Sequence, residues 1–126
     1  MIDQNKFKVN FRKSNEIICL DLHGFLDAHT APDLENAIKQ TIDKGSNRIL
    51  VNFNSLDYIS SAGLGVFMAF IEDVRNTGGD IKMSNMNEKV FSVFDLLGFP
   101  MLFDIDKDET ESLKKFSLHT INDEKR

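Results

Sequence analysis

The chain has 126 residues, 41% of them apolar and 28% charged, the profile of one globular domain long enough to bury a core of its own. Twenty acidic residues against 15 basic ones give a formal charge of −5, which argues against nucleic acid or an anionic membrane as the main partner, because both select a basic surface. The lone Cys19 cannot form an intrachain disulfide and points to a reducing, cytoplasmic setting. The opening residues Met1 to Lys6 contain no signal-peptide core, and no apolar run is long enough to cross a bilayer, so neither leader nor membrane insertion is expected.

In chain order, Phe7, Val9 and Phe11 alternate with Lys6, Lys8, Asn10 and Arg12, which predicts a strand with one buried face. Lys13 to Asn15 reads as a short turn. Ile18, Leu20 and Leu22 alternate with Cys19 and Asp21 as a second strand, antiparallel to the first. Gly24 to His29 reads as a loop. Thr30 with Asp33 resembles a capping box, and Pro32 falls in the first turn, where its missing N–H costs nothing. Leu34, Ala37, Ile38, Thr41 and Ile42 follow at helical spacing, and Gly45 closes that helix.

Arg48 to Phe53 is apolar on both faces, as expected of a strand in the middle of a sheet covered by helices. It leads into Asp57-Tyr58-Ile59-Ser60-Ser61-Ala62-Gly63-Leu64-Gly65. A serine at this strand-to-helix junction is placed to be an N-cap whose side chain accepts a backbone N–H. The small Ala62, Gly63 and Gly65 leave the first helical turn open to close approach by another molecule. Leu64, Phe67, Ile71 and Val74 form the stripe of the second helix. Val66, Met68 and Phe70 lie off that stripe, which fits either a deeply buried helix or an apolar partner surface beside Ser61.

Gly78-Gly79 ends the helix, and Ile81 and Met83 mark a fourth strand. Glu88 to Leu97 predicts a third helix with Val90, Phe91, Phe94 and Leu97 inward. Gly98-Phe99-Pro100 breaks it, Met101 to Ile105 reads as a fifth strand, and Asp108 to Phe116 as a last helix. Residues 118–126 are expected to be a frayed tail beyond a core of about residues 5–117. The order β-β-α-β-α-β-α-β-α predicts a single α/β domain over 1–126, a mixed sheet of about five strands with four helices mainly on one face.

The chemistry available to these residues is limited. His23, His29, His119 and Cys19 lack metal-ligand spacing, so no metal or cofactor is expected. Ser61 has Ile59 two residues before it, so the Gly-x-Ser-x-Gly elbow is absent, and without an activating base the hydroxyl is a weak nucleophile. Gly63-Leu64-Gly65 is only Gly-x-Gly, with neither a third glycine nor a P-loop lysine. A different role asks less of the residues: Ser61 as the acceptor of a phosphate, which a helix N-terminus tolerates and a docked partner does not.

Gly24 to Thr30, Ile49 to Ile59, Ser60 to Gly65 and Gly78-Gly79 together resemble the STAS domain family, and within it the anti-sigma factor antagonists. The resemblance covers roughly Phe7 to Phe116. It implies a non-enzymatic partner switch. The unphosphorylated antagonist binds an anti-sigma factor that is also a serine kinase with a histidine-kinase-like ATPase fold, and so frees the sigma factor. Phosphorylation of the motif serine ends the contact, and a metal-dependent serine phosphatase resets it. The resemblance makes Ser61 the acceptor and Ser60 the second candidate. It places Asp27, Ser60, Ser61, Ala62, Gly63, Leu64 and Gly65 at the docking surface. Ser60 stands where the family motif usually has Asp. The alternative is a STAS scaffold that is never phosphorylated, in a signalling or transporter complex.

Overall fold

The computed structural model describes residues 6–124, with side chains described through residue 117. Asn15, at φ +54°, turns the chain between β1 (Lys8–Ser14) and β2 (Ile17–Leu26). Asn tolerates the left-handed region better than most residues. The two strands pair antiparallel, Lys8 opposite His23 and Ser14 opposite Ile17, so the expected hairpin forms with its turn slightly later than Lys13 to Asn15. Phe7 is buried, but Phe11 remains 48% exposed. It lies on the rim of a groove beside Gln40 and Lys44 rather than beneath a helix, so the expected buried face of β1 is incomplete.

β2 does not end at Leu22. Gly24, Phe25 and Leu26, expected in a loop, stay in the sheet because β3 (Arg48–Ile59) is long enough to pair with them, Gly24 with Leu56, Phe25 with Tyr58 and Leu26 with Ile59. The register slips between Asp21 and His23 and again between Gly24 and Phe25. β3 carries the extra residue each time, bending the pair as bulges do.

Three crossovers make the rest of the sheet parallel. α1 (Ala31–Asp43) joins β2 to β3, α2 (Ser61–Asn76) joins β3 to β4 (Asp80–Ser84), and α3 (Glu88–Leu96) leads toward β5 (Ile105–Asp106). The strand order is β1-β2-β3-β4-β5. The stretch expected as a fifth strand from Met101 is instead a 3₁₀ turn, Phe99–Met101, entered through Gly98 at φ +77° with Pro100 inside it. Only Ile105 and Asp106 reach the sheet.

Strand alternation separates two cores. Leu20, Val51, Ile49 and Ile81 join α1, α2 and α3 in the larger one. Cys19 and Leu50 point to the other face and pack with Ile17, Leu113 and Phe116, beneath α4 (Glu109–Glu124). α4 therefore covers the face opposite the other three helices. It also continues through Glu124, into residues expected to fray; Lys125 and Arg126 lie outside the described residues.

Phe53, Phe67, Phe94, Phe99 and Phe103 form a chain of ring contacts, with centroids 5.3 Å apart from Phe53 to Phe94 and from Phe94 to Phe99, and 5.4 Å from Phe99 to Phe103. Rings at such spacing add to the area term of burial. Phe91 and Leu97, expected inward on α3, are 38% and 52% exposed. Their side of the short helix turns away from the sheet, while Val90 and Phe94 are buried.

Candidate functional site

The turn from β3 into α2 is tied to the end of β2. The N–H of Ser60 donates to the carbonyl of Leu26 at 2.9 Å, which brings the Ser60-Ser61 pair beside the residue that precedes Asp27. Ser60 is the N-cap of α2 by backbone geometry, with φ −109° and ψ 171°, but its side chain makes no capping bond. Its Oγ is buried with no hydrogen-bond partner, and the expected side-chain cap is absent. The carbonyl of Ser60 accepts from the N–H of Gly63 at 3.0 Å and of Leu64 at 3.3 Å instead.

Ser61 is the first residue of α2 and is exposed. The first N–H groups of a helix have no partner within it and form the positive end of its dipole, so an anion borne on Ser61 Oγ would sit in a favourable field.

Gly63 and Leu64 do not reach the surface. A Cβ on Gly63 would lie 2.6 Å from Leu26 Cγ and 2.9 Å from its Cδ2, and Leu64 is 2% exposed. These two expected docking residues therefore pack α2 onto β2 and β3, and the absent Gly63 side chain allows close approach by the sheet rather than by a partner. Gly65 has nothing within 4 Å of its Cβ position and is exposed, like Met68 one turn further on. Ala62 is half-buried. The two readings of the off-stripe residues divide between positions: Val66 is buried and Phe70 packs against the core, whereas Met68 is 45% exposed.

Asp27 organises its own loop. Its Oδ1 accepts from the N–H of His29 at 2.9 Å and of Thr30 at 3.1 Å. Those bonds, Thr30 first, hold its carboxyl below its ordinary value. Its N–H donates to Thr30 Oγ1 at 2.9 Å, and its carbonyl accepts from the N–H of Ala31 at 2.8 Å. Thr30 is the N-cap of α1 without a side-chain cap bond. Of the two bonds expected of a Thr30–Asp33 capping box, that to the Thr30 N–H is made by Asp27, while the Asp33 N–H donates to the Thr30 carbonyl at 2.9 Å.

Tyr58, which the sequence reading did not single out, is 47% exposed with its ring 5.5 Å from that of Phe25. The two are ladder partners across the β2 extension. A second exposed apolar set, Leu96 at 84% and Met101 at 89%, lies where α3 ends and the 3₁₀ turn begins.

Among the described residues no group of three or more His, Cys, Asp or Glu is placed to hold a metal. Burial pushes the Cys19 thiol up to about 11, so it is protonated and unreactive at neutral pH. No described helix is long and apolar enough to cross a membrane.

Residues 8–112 match the STAS domain family. BtrV of Bordetella bronchiseptica, provisionally named an anti-sigma factor antagonist, is 30% identical over 98 residues, covering 78% of this chain and 84% of that protein. The anti-sigma-B factor antagonist of Bacillus subtilis is 27% identical over 97 residues, 77% of this chain and 88% of its own. SpoIIAA, an anti-sigma factor antagonist solved in its unphosphorylated form, superposes with a TM-score of 0.73 at 23% identity, covering 89% of this chain and 96% of that one. Its phosphorylated form from Bacillus gives 0.66 at 22%, covering 88% and 99%. The chain belongs to the STAS domain family, within the group of anti-sigma factor antagonists.

Proposed function

We propose that the protein is the phosphorylatable member of a partner switch in the cytoplasm. Its unphosphorylated form docks on an anti-sigma factor that is also a serine kinase of the histidine-kinase-like ATPase type, and docking releases the sigma factor. Phosphate transferred from ATP to Ser61 ends the contact, and a metal-dependent serine phosphatase restores it. The observation that carries this reading is the contrast between two adjacent hydroxyls: Ser61 is exposed at the first residue of α2, whereas the Oγ of Ser60 is buried. A kinase can reach the first and not the second without opening the turn. Ser61, Gly65 and Met68 supply an outward surface of small and apolar residues on α2, with the Asp27 carboxylate on the neighbouring loop. A phosphate there adds about −1.5 to −2 charges, which the helix end accommodates and a closely packed partner does not.

The test is to incubate wild type, Ser60→Ala and Ser61→Ala with ATP and an anti-sigma factor serine kinase from the same organism, and to map phosphate by mass spectrometry. Phosphate is expected on wild type and Ser60→Ala and absent from Ser61→Ala. Full phosphorylation of Ser61→Ala would overturn the assignment. Ser61→Asp is expected to weaken kinase binding with an almost unchanged melting temperature, because the side chain is exposed and unbonded in the fold.

A further inference from the structure

At the end of the sheet opposite Ser61, where β3 and β4 begin, a cavity of about 440 Å³ opens between Arg48, Arg75, Lys82, Asp80 and Phe116. Among the described residues, three cations line it against one carboxylate, on a chain whose formal charge is −5. The lysine is a costly one: Lys82 is 6% exposed, and burial of an ammonium is tolerated only with partners. Its Nζ donates to Asp80 Oδ2 at 3.0 Å and Asp104 Oδ2 at 2.7 Å and lies 4.9 Å from the Phe116 ring centre. An ammonium has three donors, so one remains. Arg75 donates Nε to Asp80 Oδ1 at 2.9 Å and Nη2 to the Leu102 carbonyl at 2.5 Å, and its Nη1 remains.

Arg48 differs from both. Arg12 and Arg75 each hold a carboxylate, but half-buried Arg48 has none, and it is the only arginine among the described residues in that position. Gly78 and Gly79 form the adjoining wall without side chains. A Cβ on Gly79 would lie 1.9 Å from the Asn47 carbonyl oxygen, so the chain just before Arg48, the first residue of β3, is pressed against this turn.

We infer that this cavity is a binding site for a small anion bearing a phosphate or carboxylate. Arg48 supplies the paired donors that match such a group. Arg75 and Lys82 add their remaining N–H groups. The site is independent of Ser61, which lies at the other end of α2.

The test titrates the full chain with inorganic phosphate and with phenyl phosphate, read by amide chemical shifts and calorimetry. Saturable shifts are expected at Gly78, Gly79 and Arg48 with both anions, because the phosphate group they share is what the cations bind. Arg48→Ala is expected to weaken binding about tenfold or more with no fall in melting temperature, since among the described residues the guanidinium holds no hydrogen-bond or ion-pair partner. Lys44→Ala, just past the end of α1 and away from the cavity, is expected to bind as wild type. Unsaturable shifts spread over exposed lysines, or wild-type affinity in Arg48→Ala, would overturn the site.

Discussion

Two glycines two residues apart do opposite things. Gly63 has no room for a methyl group: Leu26, which it touches, is itself fully buried and cannot swing aside. Gly63→Ala is expected to cost about 1–3 kcal/mol through forced displacement of that side chain, measured as a lowered urea midpoint. Gly65 faces open space within α2. Gly65→Ala is expected to raise stability by about 0.5–1 kcal/mol, the usual gain from removing a helical glycine, while any loss it causes appears only in partner binding. The pair thus separates a packing position from an open one in a short motif whose spacing alone reads as two equivalent small residues.

At the scale of elements, the helix starts give a similar contrast. α3 begins with Asn87, whose side chain accepts from the N–H of Val90 at 2.8 Å. Asn87→Ala is expected to cost about 1 kcal/mol. Ser60 occupies the same position on α2 with no such bond, so Ser60→Ala is expected to be neutral or slightly stabilising, because it removes a buried unpaired hydroxyl. Thermal unfolding of the two variants side by side distinguishes them.

Residue type therefore marks where a helix starts but not which side chain caps it, a choice made by the fold. Periodicity located all four helices and the central strand because their apolar spacing is strong. It stopped β2 at Leu22 because Gly24 reads locally as a breaker, while the ladder partners that keep it extended, Leu56 to Ile59, lie some thirty positions away. It drew a strand across Met101 because alternation cannot register a positive φ at Gly98. Of the site, Ser61 and the Asp27 loop were legible in the motif. The burial of Gly63 and Leu64, the exposure of Tyr58 and the basic cavity depend on packing between distant segments.

Over the whole molecule, α4 is fastened to the far strands by a charged cluster. Arg12 of β1 bonds Asp21 at 2.6 and 2.7 Å and Glu109 at 2.5 and 3.2 Å, and Asn52 donates to Glu109 at 3.1 Å. The Arg12 bond, aided by Asn52, outweighs burial and holds the Glu109 carboxyl below its ordinary 4.5. Burial pushes Asp104 up, but Lys82, Lys115 and Arg75 overcome it and leave that carboxyl below 3.8. Both groups bind protons more weakly in the folded chain than in the unfolded one. Their contribution is complete above the unfolded values and is lost as pH falls through the folded ones. Stability is expected to be level from about pH 5 to about pH 8 and to decline below that range. In Arg12→Gln the decline becomes shallower, because Glu109 titrates more nearly as it does when unfolded; urea unfolding across that pH range measures the slope.

The length of α2 has one more consequence. Sixteen residues make a rod of about 24 Å, with Ser61 at its first turn and Arg75 in its last. Charges on the two ends stand roughly three screening lengths apart in physiological salt, where that length is about 8 Å. A doubly charged group added at one end is therefore nearly invisible, electrostatically, to an anion at the other. On the proposed reading the molecule has two ports, and a phosphate written at the first would leave the second free to be read.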